Sequence, residues 1–213
     1  MTRIPTLLET VRLRDGRAPL WYLHLRRLAS SCRALGVPFP LEFTVPAGGA
    51  DRVHRMQVGP QGMTLTERPL EATGRVHLRT VTVPHPGYRH KTTDRGAFER
   101  ATAEARRAGA DEALLLSAEG WVAEAAIWCL FWWEGEALAA PPLDLGILPG
   151  VSRLRIEELH GPLLEQRVRP GGLEGRPLFL ANAVRGIVEV ATLDGRPVPG
   201  HPGTARLAGR FWP

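Results

Sequence analysis

Glycine-centred turn signals cut this chain into short pieces, and their spacing limits the fold more than any single residue does. Asp15-Gly16, Gly59-Pro60-Gln61-Gly62, Glu119-Gly120, Glu134-Gly135 and Asp194-Gly195 each follow a short apolar or alternating run. Such pairs supply the positive φ of tight hairpins, so the flanking runs are expected to be strands. The expected strands are Thr6–Arg14 with Ala18–Trp21 returning, Val53–Val58 with Met63–Glu67, and Arg75–Val83. Glu112–Ser117, Glu136–Ala140, Leu178–Ala181 and Ile187–Leu193 follow. Trp121–Trp133 is too aromatic and β-branched to be assigned to a helix.

Three stretches carry helical signals. Leu25, Leu28, Ala29, Cys32 and Leu35 predict a helix over Tyr22–Leu35, stopped by Gly36 with Pro38 beyond. Gly96–Ala108, closed by Gly109, is the second. The third carries Leu154, Ile156 and Leu159, with Ser152 expected as its N-cap. Pro84, Pro86 and Gly87 punctuate the middle of the chain and place a boundary there. The expected architecture is α+β in two parts: a small N-terminal α/β domain over 1–86 and a larger domain over 87–213.

Composition excludes several classes. At 213 residues and 44% hydrophobic, with 23 glycines and 19 prolines, the chain can bury a core and is not a disordered or fibrous one. The net charge of +5 is spread with no run of five like charges, and no aromatic RNA-binding motif or DNA-reading helix stands out. No nucleic-acid partner is therefore expected. The longest apolar run, Ala125–Trp133, is too short to span a bilayer, so no membrane partner is expected. Cys32 and Cys129 make no disulfide framework, and the N-terminus reads as no signal peptide; a cytoplasmic protein is expected. His85 and His90 lack a third converging ligand and read as surface or loop histidines, with no metal site.

The basic residues hold a sharper signal. Lys91 is the sole lysine; the other 26 basic residues are arginine. An amine can give up its proton near neutral pH and a guanidinium cannot. By itself Lys91 reads as a chance surface survivor, so its context must decide. Gly150-Val151-Ser152-Arg153 opens a helix, where free N–H groups and the helix dipole suit an anion, although many helix starts hold nothing.

Taken in order, the motifs become specific. The chain carries H-L-x-R-L at 24–28, R-H-K-T-T-D-R at 89–95, A-x-x-x-A at 101–105 and G-A-D-E-A-L-L-L-S-A-E-G at 109–120. V-A-E at 122–124, P-P-L at 141–143 and G-I-L-P-G-V-S-R at 146–153 follow. This series resembles the class IV aminotransferases, pyridoxal-phosphate enzymes of fold type IV that include branched-chain and D-amino-acid aminotransferases and 4-amino-4-deoxychorismate lyase. The resemblance spans roughly residues 6 to 195 and is densest from 89 to 153. It implies a larger C-terminal β-barrel-like domain with helices, bound pyridoxal 5′-phosphate, a homodimer, and a small-molecule amine or amino-acid substrate.

The resemblance also implies roles. Lys91 falls on the lysine that joins the cofactor covalently and then moves protons, and Glu124 on the acid that pairs with the pyridine nitrogen. Arg27 falls on the arginine that holds the phosphate, with Arg26 facing solvent. Val151 and Ser152 fall on the phosphate-binding turn; Asn182 and Ala183 fall on a second one, where Ala183 stands in place of a Ser or Thr. Cys129 occupies an asparagine position, and Gly96 stands where aminotransferases carry a tyrosine. About two N-terminal strands are missing ahead of Leu8-Glu9-Thr10, and the region between Gly36 and Arg75 is shortened, so the chain reads as N-terminally truncated. Three readings stand: a lyase like 4-amino-4-deoxychorismate lyase, suggested by K-T-T-D-R, A-N-A-V-R-G and Gly96; an amino-acid aminotransferase; and a cofactor-binding relative with altered or lost activity.

Overall fold

The turn signals reverse the chain in every case, but the first does not build the expected hairpin. Residues 4–40 and 51–213 are described by the computed structural model. β1 (Leu7–Leu13) ends at a tight turn in which Asp15 and Gly16 take φ of 49° and 71°, closed by an Arg14–Arg17 bridge. Ala18–Trp21 does not return as a strand. Pro19 has no N–H to give a ladder, and the Ala18 carbonyl accepts the Trp21 N–H in a turn that starts α1 (Trp21–Leu35). β1 pairs instead with β2 (Arg52–Gly59), which pairs with β3 (Gly62–Pro69). The alternation of β1 points Leu7, Glu9 and Val11 at α1, where they meet Leu28, Cys32, Met56 and Val58.

The remaining strands form one nine-stranded mixed sheet. β4 (Val76–Thr80) and β5 (Glu112–Leu116) run parallel, joined by a crossover through α2 (Gly96–Arg107). Phe98, Ala101 and Ala105 of α2 pack on Ala113 and Leu115 of β5. The aromatic stretch 121–133 is two strands, β6 (Val122–Ala125) and β7 (Cys129–Glu134), split by a tight turn. β8 (Ala137–Ala140), β9 (Leu164–Glu165), β10 (Leu178–Asn182), β11 (Gly186–Leu193) and β12 (Arg196–Pro197) complete the set. The sheet order is β6-β5-β4-β11-β10-β7-β8-β9, with β12 on β11. An Ala125–Trp128 bridge ties the β6 end to β7, so the sheet curls on itself as a half-barrel. Trp132, Leu130, Leu180 and Leu114 fill its concave core.

α3 (Val151–His160) and α4 (Pro202–Arg210) cover the other face, packing Val151, Ile156 and Leu207 on Phe131 and Phe179 of the sheet. Gly150, not Ser152, is the N-cap of α3, because Ser152 already has helical neighbours and gives its hydroxyl to the Ala181 carbonyl. Sheet membership changes between β3 and β4, ahead of the Pro84–Gly87 punctuation. β4 looks from sequence like a companion of the earlier strands, yet its partners β11 and β5 lie in the large sheet. Among the described residues, no helix is long and apolar enough to cross a membrane.

Candidate active site

Lys91 lies in the connection from the C-terminal end of β4 to α2, and its backbone is pinned on two sides. Its carbonyl accepts the Leu8 N–H at 2.7 Å, and the Thr93 N–H reaches the Thr6 carbonyl at 3.0 Å. This segment thus runs along the edge of β1 and couples the small sheet to the large one. The Tyr88 hydroxyl braces the same loop, accepting the Thr92 N–H at 2.7 Å and donating to the Thr92 carbonyl at 2.5 Å. Burial pushes the Lys91 amine down, and the nearby cations Arg27 and Arg95 push the same way. Glu9 and Glu124 oppose them only in part, leaving a pKa of about 7. At neutral pH a large share of this lysine is a free amine.

Behind Lys91 lies a buried charge network that the sequence reading missed. Arg27 on α1 donates from Nε to Glu9 Oε1 at 3.0 Å and from Nη2 to Oε2 at 2.5 Å. His24, one turn earlier, has Nδ1 at 2.7 Å from Glu9 Oε2. Burial pushes the Glu9 carboxyl up, but Arg27 and His24 outweigh it and hold its pKa at about 2. Burial also pushes His24 down, so it stays neutral and donates from Nδ1 to the ionised carboxylate. Signals for this network exist in the sequence. Glu9 alternates with Leu7 and Val11 on one strand face, and His24 and Arg27 are three apart on one helix face. Arg26, the preceding residue on the helix, is exposed.

Glu124 projects from β6 and is buried. His85 Nε2 donates to its Oε1 at 2.9 Å. The tautomer follows from the other ring nitrogen, since His85 Nδ1 accepts the Gly87 N–H at 3.2 Å. His85 is therefore a buried partner of an acid and not a surface histidine. His90 is half-buried and meets Ser31 at 3.1 Å, and no metal-binding group of residues exists among the described ones.

The opposite wall is the N-terminus of α3. Val151 and Ser152 sit in its first turn, whose N–H groups have no acceptor within the helix. Gly150 is required there because a Cβ would stand 2.4 Å from Cys129 Sγ. Arg153 faces away and anchors the helix, bonding the Pro141 carbonyl at 2.7 Å and Glu165 at 2.5 Å. On the turn after β10, the Asn182 side-chain oxygen accepts the N–H groups of Val184 at 3.0 Å and Arg185 at 2.8 Å. Asn182 therefore shapes the turn, and Ala183 brings only backbone and a methyl group.

Arg27, Lys91, Glu124, Val151, Ser152, Asn182 and Ala183, spread over more than 150 positions of sequence, all line one cleft. Leu8, Thr10, Arg55, Arg68, Tyr88, Arg95 and Arg185 line it too and were not singled out from sequence. Chemically, the cleft offers a deprotonatable amine, a buried carboxylate and a helix N-terminus suited to an anion.

A fold of this kind is found in known proteins. Residues 60–193 match the model of the amino-transferase class IV family, and the chain belongs to that family. Its members are pyridoxal-phosphate-dependent aminotransferases and lyases, and the chain is an enzyme of this kind. A Legionella pneumophila protein, provisionally assigned as a 4-amino-4-deoxychorismate lyase, is similar over 97% of this chain and 91% of its own, with a TM-score of 0.83 at 23% identity. A branched-chain aminotransferase from Thermoproteus uzoniensis, solved with norvaline, is similar over 97% of this chain and 84% of its own, with a TM-score of 0.84 at 23% identity. A hypothetical aminotransferase from Mycobacterium tuberculosis in a PLP-bound form is similar over 99% and 88%, with a TM-score of 0.82 at 23% identity. At such identities the likeness is one of fold.

Proposed function

We propose that this cleft binds pyridoxal 5′-phosphate through Lys91 and catalyses pyruvate elimination from an aminodeoxychorismate-type substrate, giving 4-aminobenzoate. The observation that carries cofactor binding is the Lys91 amine, brought to a pKa of about 7 inside a cleft that also holds Glu124 and the α3 N-terminus. The donor set fits the group: free N–H groups at Val151 and Ser152 suit a phosphate, with Arg27 on the facing wall. Glu124 spends one oxygen on His85 and keeps the other for a protonated ring nitrogen.

When bound, pyridoxal phosphate supplies an aldehyde that links to amines and a ring that takes up an electron pair from the substrate carbon. Lys91 takes the proton from the carbon bearing the substrate amine, which its free amine form can do near neutral pH. Glu124, oriented by the His85 N–H, would face the ring nitrogen and favour its protonated form. The Glu9–Arg27 pair fixes the guanidinium so that it is pre-oriented toward an anion.

The lyase reading draws on the phenols. The chain has two tyrosines: Tyr22 donates to Glu158, and Tyr88 spends its hydroxyl on Thr92. With Gly96 at the aminotransferase tyrosine position, no phenol is left in the cleft to control the cofactor's phenolic oxygen. Aminotransfer is the second reading, favoured by the amino-transferase class IV family match. Aminodeoxychorismate incubated with the enzyme is expected to yield pyruvate and 4-aminobenzoate without added keto acid. Neither product, together with conversion of the cofactor to pyridoxamine phosphate by a common amino acid, would assign the aminotransferase instead. A homodimer is part of this proposal; the exposed edge strand β3, with Met63 and Leu65 outward, supports it. Free Cys32 and Cys129 support a reducing, cytoplasmic setting.

A further inference from the structure

We infer that Arg55 and Arg68 form a carboxylate-binding pair on the small-sheet wall of the cleft, taking a carboxylate on the part of the substrate remote from the reacting amine. The inference rests on the reading of the cleft as the substrate site. Its starting point is an imbalance of charge. Arg27, Arg55, Arg68, Lys91, Arg95 and Arg185 all line the cleft, and Glu124 is the sole acid among the described lining residues.

Four of those cations are accounted for within the protein. Arg27 is neutralised by Glu9, and Lys91 is about half uncharged near pH 7 and is the group that joins the cofactor in the proposed reading. Arg95 donates to the Ala126 carbonyl at 2.5 Å and lies over the Phe98 ring, 4.2 Å from its centre. Arg185 pairs with Glu71 at 3.3 Å. Arg55 and Arg68 make no side-chain hydrogen bond or ion pair with any described residue, and the acids nearest them in sequence are engaged elsewhere. Asp51 pairs with Arg12, and Glu67 pairs with Arg52 and His54.

Register places the two guanidiniums on one face. Arg55 stands opposite Thr10 on β1 and Thr66 on β3, and Arg68 stands opposite Val53, two residues along the same face of β2. Diagonal neighbours on a sheet lie roughly 7–8 Å apart, close enough for two long side chains to share one ligand. Two unpaired like charges at that spacing repel, and a bound carboxylate offsets the repulsion. An Arg fork matches a carboxylate in two parallel hydrogen bonds, so a pair can hold it from two sides. The geometry also sets the substrate class. The pair is on the small sheet, whereas Glu124 and the α3 N-terminus belong to the large one, so its anion is distinct from the one at α3.

The test uses the cofactor-loaded protein and two rigid probes, benzoate and its uncharged counterpart benzamide, followed by titration calorimetry. Both arginines are exposed, so Arg55→Gln and Arg68→Gln are expected to fold as the parent does. Each is expected to weaken benzoate binding about tenfold, from the ~1.5–3 kcal/mol of a charged hydrogen bond, and to leave benzamide unchanged. Arg33→Gln, an exposed arginine near the far end of α1, removes the same net charge and is expected to change neither. In turnover, the two variants are expected to raise KM with kcat little altered, as for a contact made equally before and during the chemistry. Benzoate affinity that is unchanged in both variants, or reduced equally by Arg33→Gln, overturns the inference. Borohydride trapping on the same samples separates the two claims. A Lys91 adduct with unchanged benzoate binding overturns the carboxylate pair alone. Absence of any adduct overturns the cofactor reading, and with it the substrate role inferred for the pair.

Discussion

The two walls of the cleft hold polarity in opposite ways. On the β1–α1 side, formal charges are buried and cancel inside the protein: Glu9, His24 and Arg27 are all at most 8% exposed and bonded to one another. On the α3 side the donors are backbone N–H groups at the start of a helix, with a serine hydroxyl directed to Ala181. A buried charge is tolerated only while its partner is present, so changes on the first wall should cost stability as well as binding. Backbone donors survive side-chain truncation, so the second wall should be forgiving. Lys91 sits where the walls meet, and burial there, helped by the nearby Arg27 and Arg95 cations, is what sets its amine free.

The largest expected effect is at that junction. Lys91→Ala should lower turnover by on the order of 10³-fold or more, as expected when a positioned proton-transfer group is lost. The wild-type rate of cofactor attachment should rise about tenfold per pH unit below pH 7 and level off above it, since only the free amine reacts. A stopped-flow pH series checks this; a rise continuing to pH 10 would mean an ordinary, solvated lysine.

Next comes the charged wall. Glu9→Gln leaves Arg27 buried without its counter-charge and should destabilise the fold by about 3–5 kcal/mol in urea unfolding at pH 7. The sign with pH follows from linkage. The Glu9 carboxyl lies at about 2 in the folded chain against 4.5 as its ordinary value, so its stabilisation is present above pH 4.5. It is lost as pH falls toward 2, and the gap between wild type and variant should close over that window. A gap independent of pH would mean that the carboxylate charge is not what the network uses.

Arg27→Ala should weaken cofactor affinity about tenfold or more, judged from the ~1.5–3 kcal/mol of a charged hydrogen bond. Unchanged affinity would confine Arg27 to its bond with Glu9. Ser152→Ala should have the smallest effect, about 1 kcal/mol of stability from its bond to Ala181, with cofactor affinity little changed because the N–H groups remain. If Ser152→Ala instead matched Arg27→Ala in lost affinity, the contrast between a charged wall and a backbone wall would fail.

Local signals in the sequence reach the hairpins, α1 and the singular Lys91, because turn chemistry and helical spacing are properties of neighbours in the chain. They do not reach contacts set by sheet register. His85 reads as a loop histidine because its partner Glu124 lies 39 residues away, across a sheet edge formed only in the fold. Arg55 and Arg68 look like two more surface arginines until the β2–β3 register puts them on the cleft face. Ser152 has the chemistry of an N-cap, but its hydroxyl is drawn to Ala181 on β10, and Gly150 takes the cap because Cys129 crowds that position. α4 was missed because Gly203 and Gly209 dilute its helical signal; its packing comes from Leu207 and from the Thr204 bond to Trp133.

The central claim is that the sole lysine of the chain is the cofactor's point of attachment, and one measurement addresses it directly. With a single lysine, only Lys91 and the N-terminal amine can be trapped, so intact mass after borohydride reduction in the presence of pyridoxal phosphate has a simple outcome. One reduced adduct is expected on the wild type, carried by the peptide containing Lys91, and none on Lys91→Ala. An adduct of equal yield on Lys91→Ala, mapping to the N-terminus, would contradict the account.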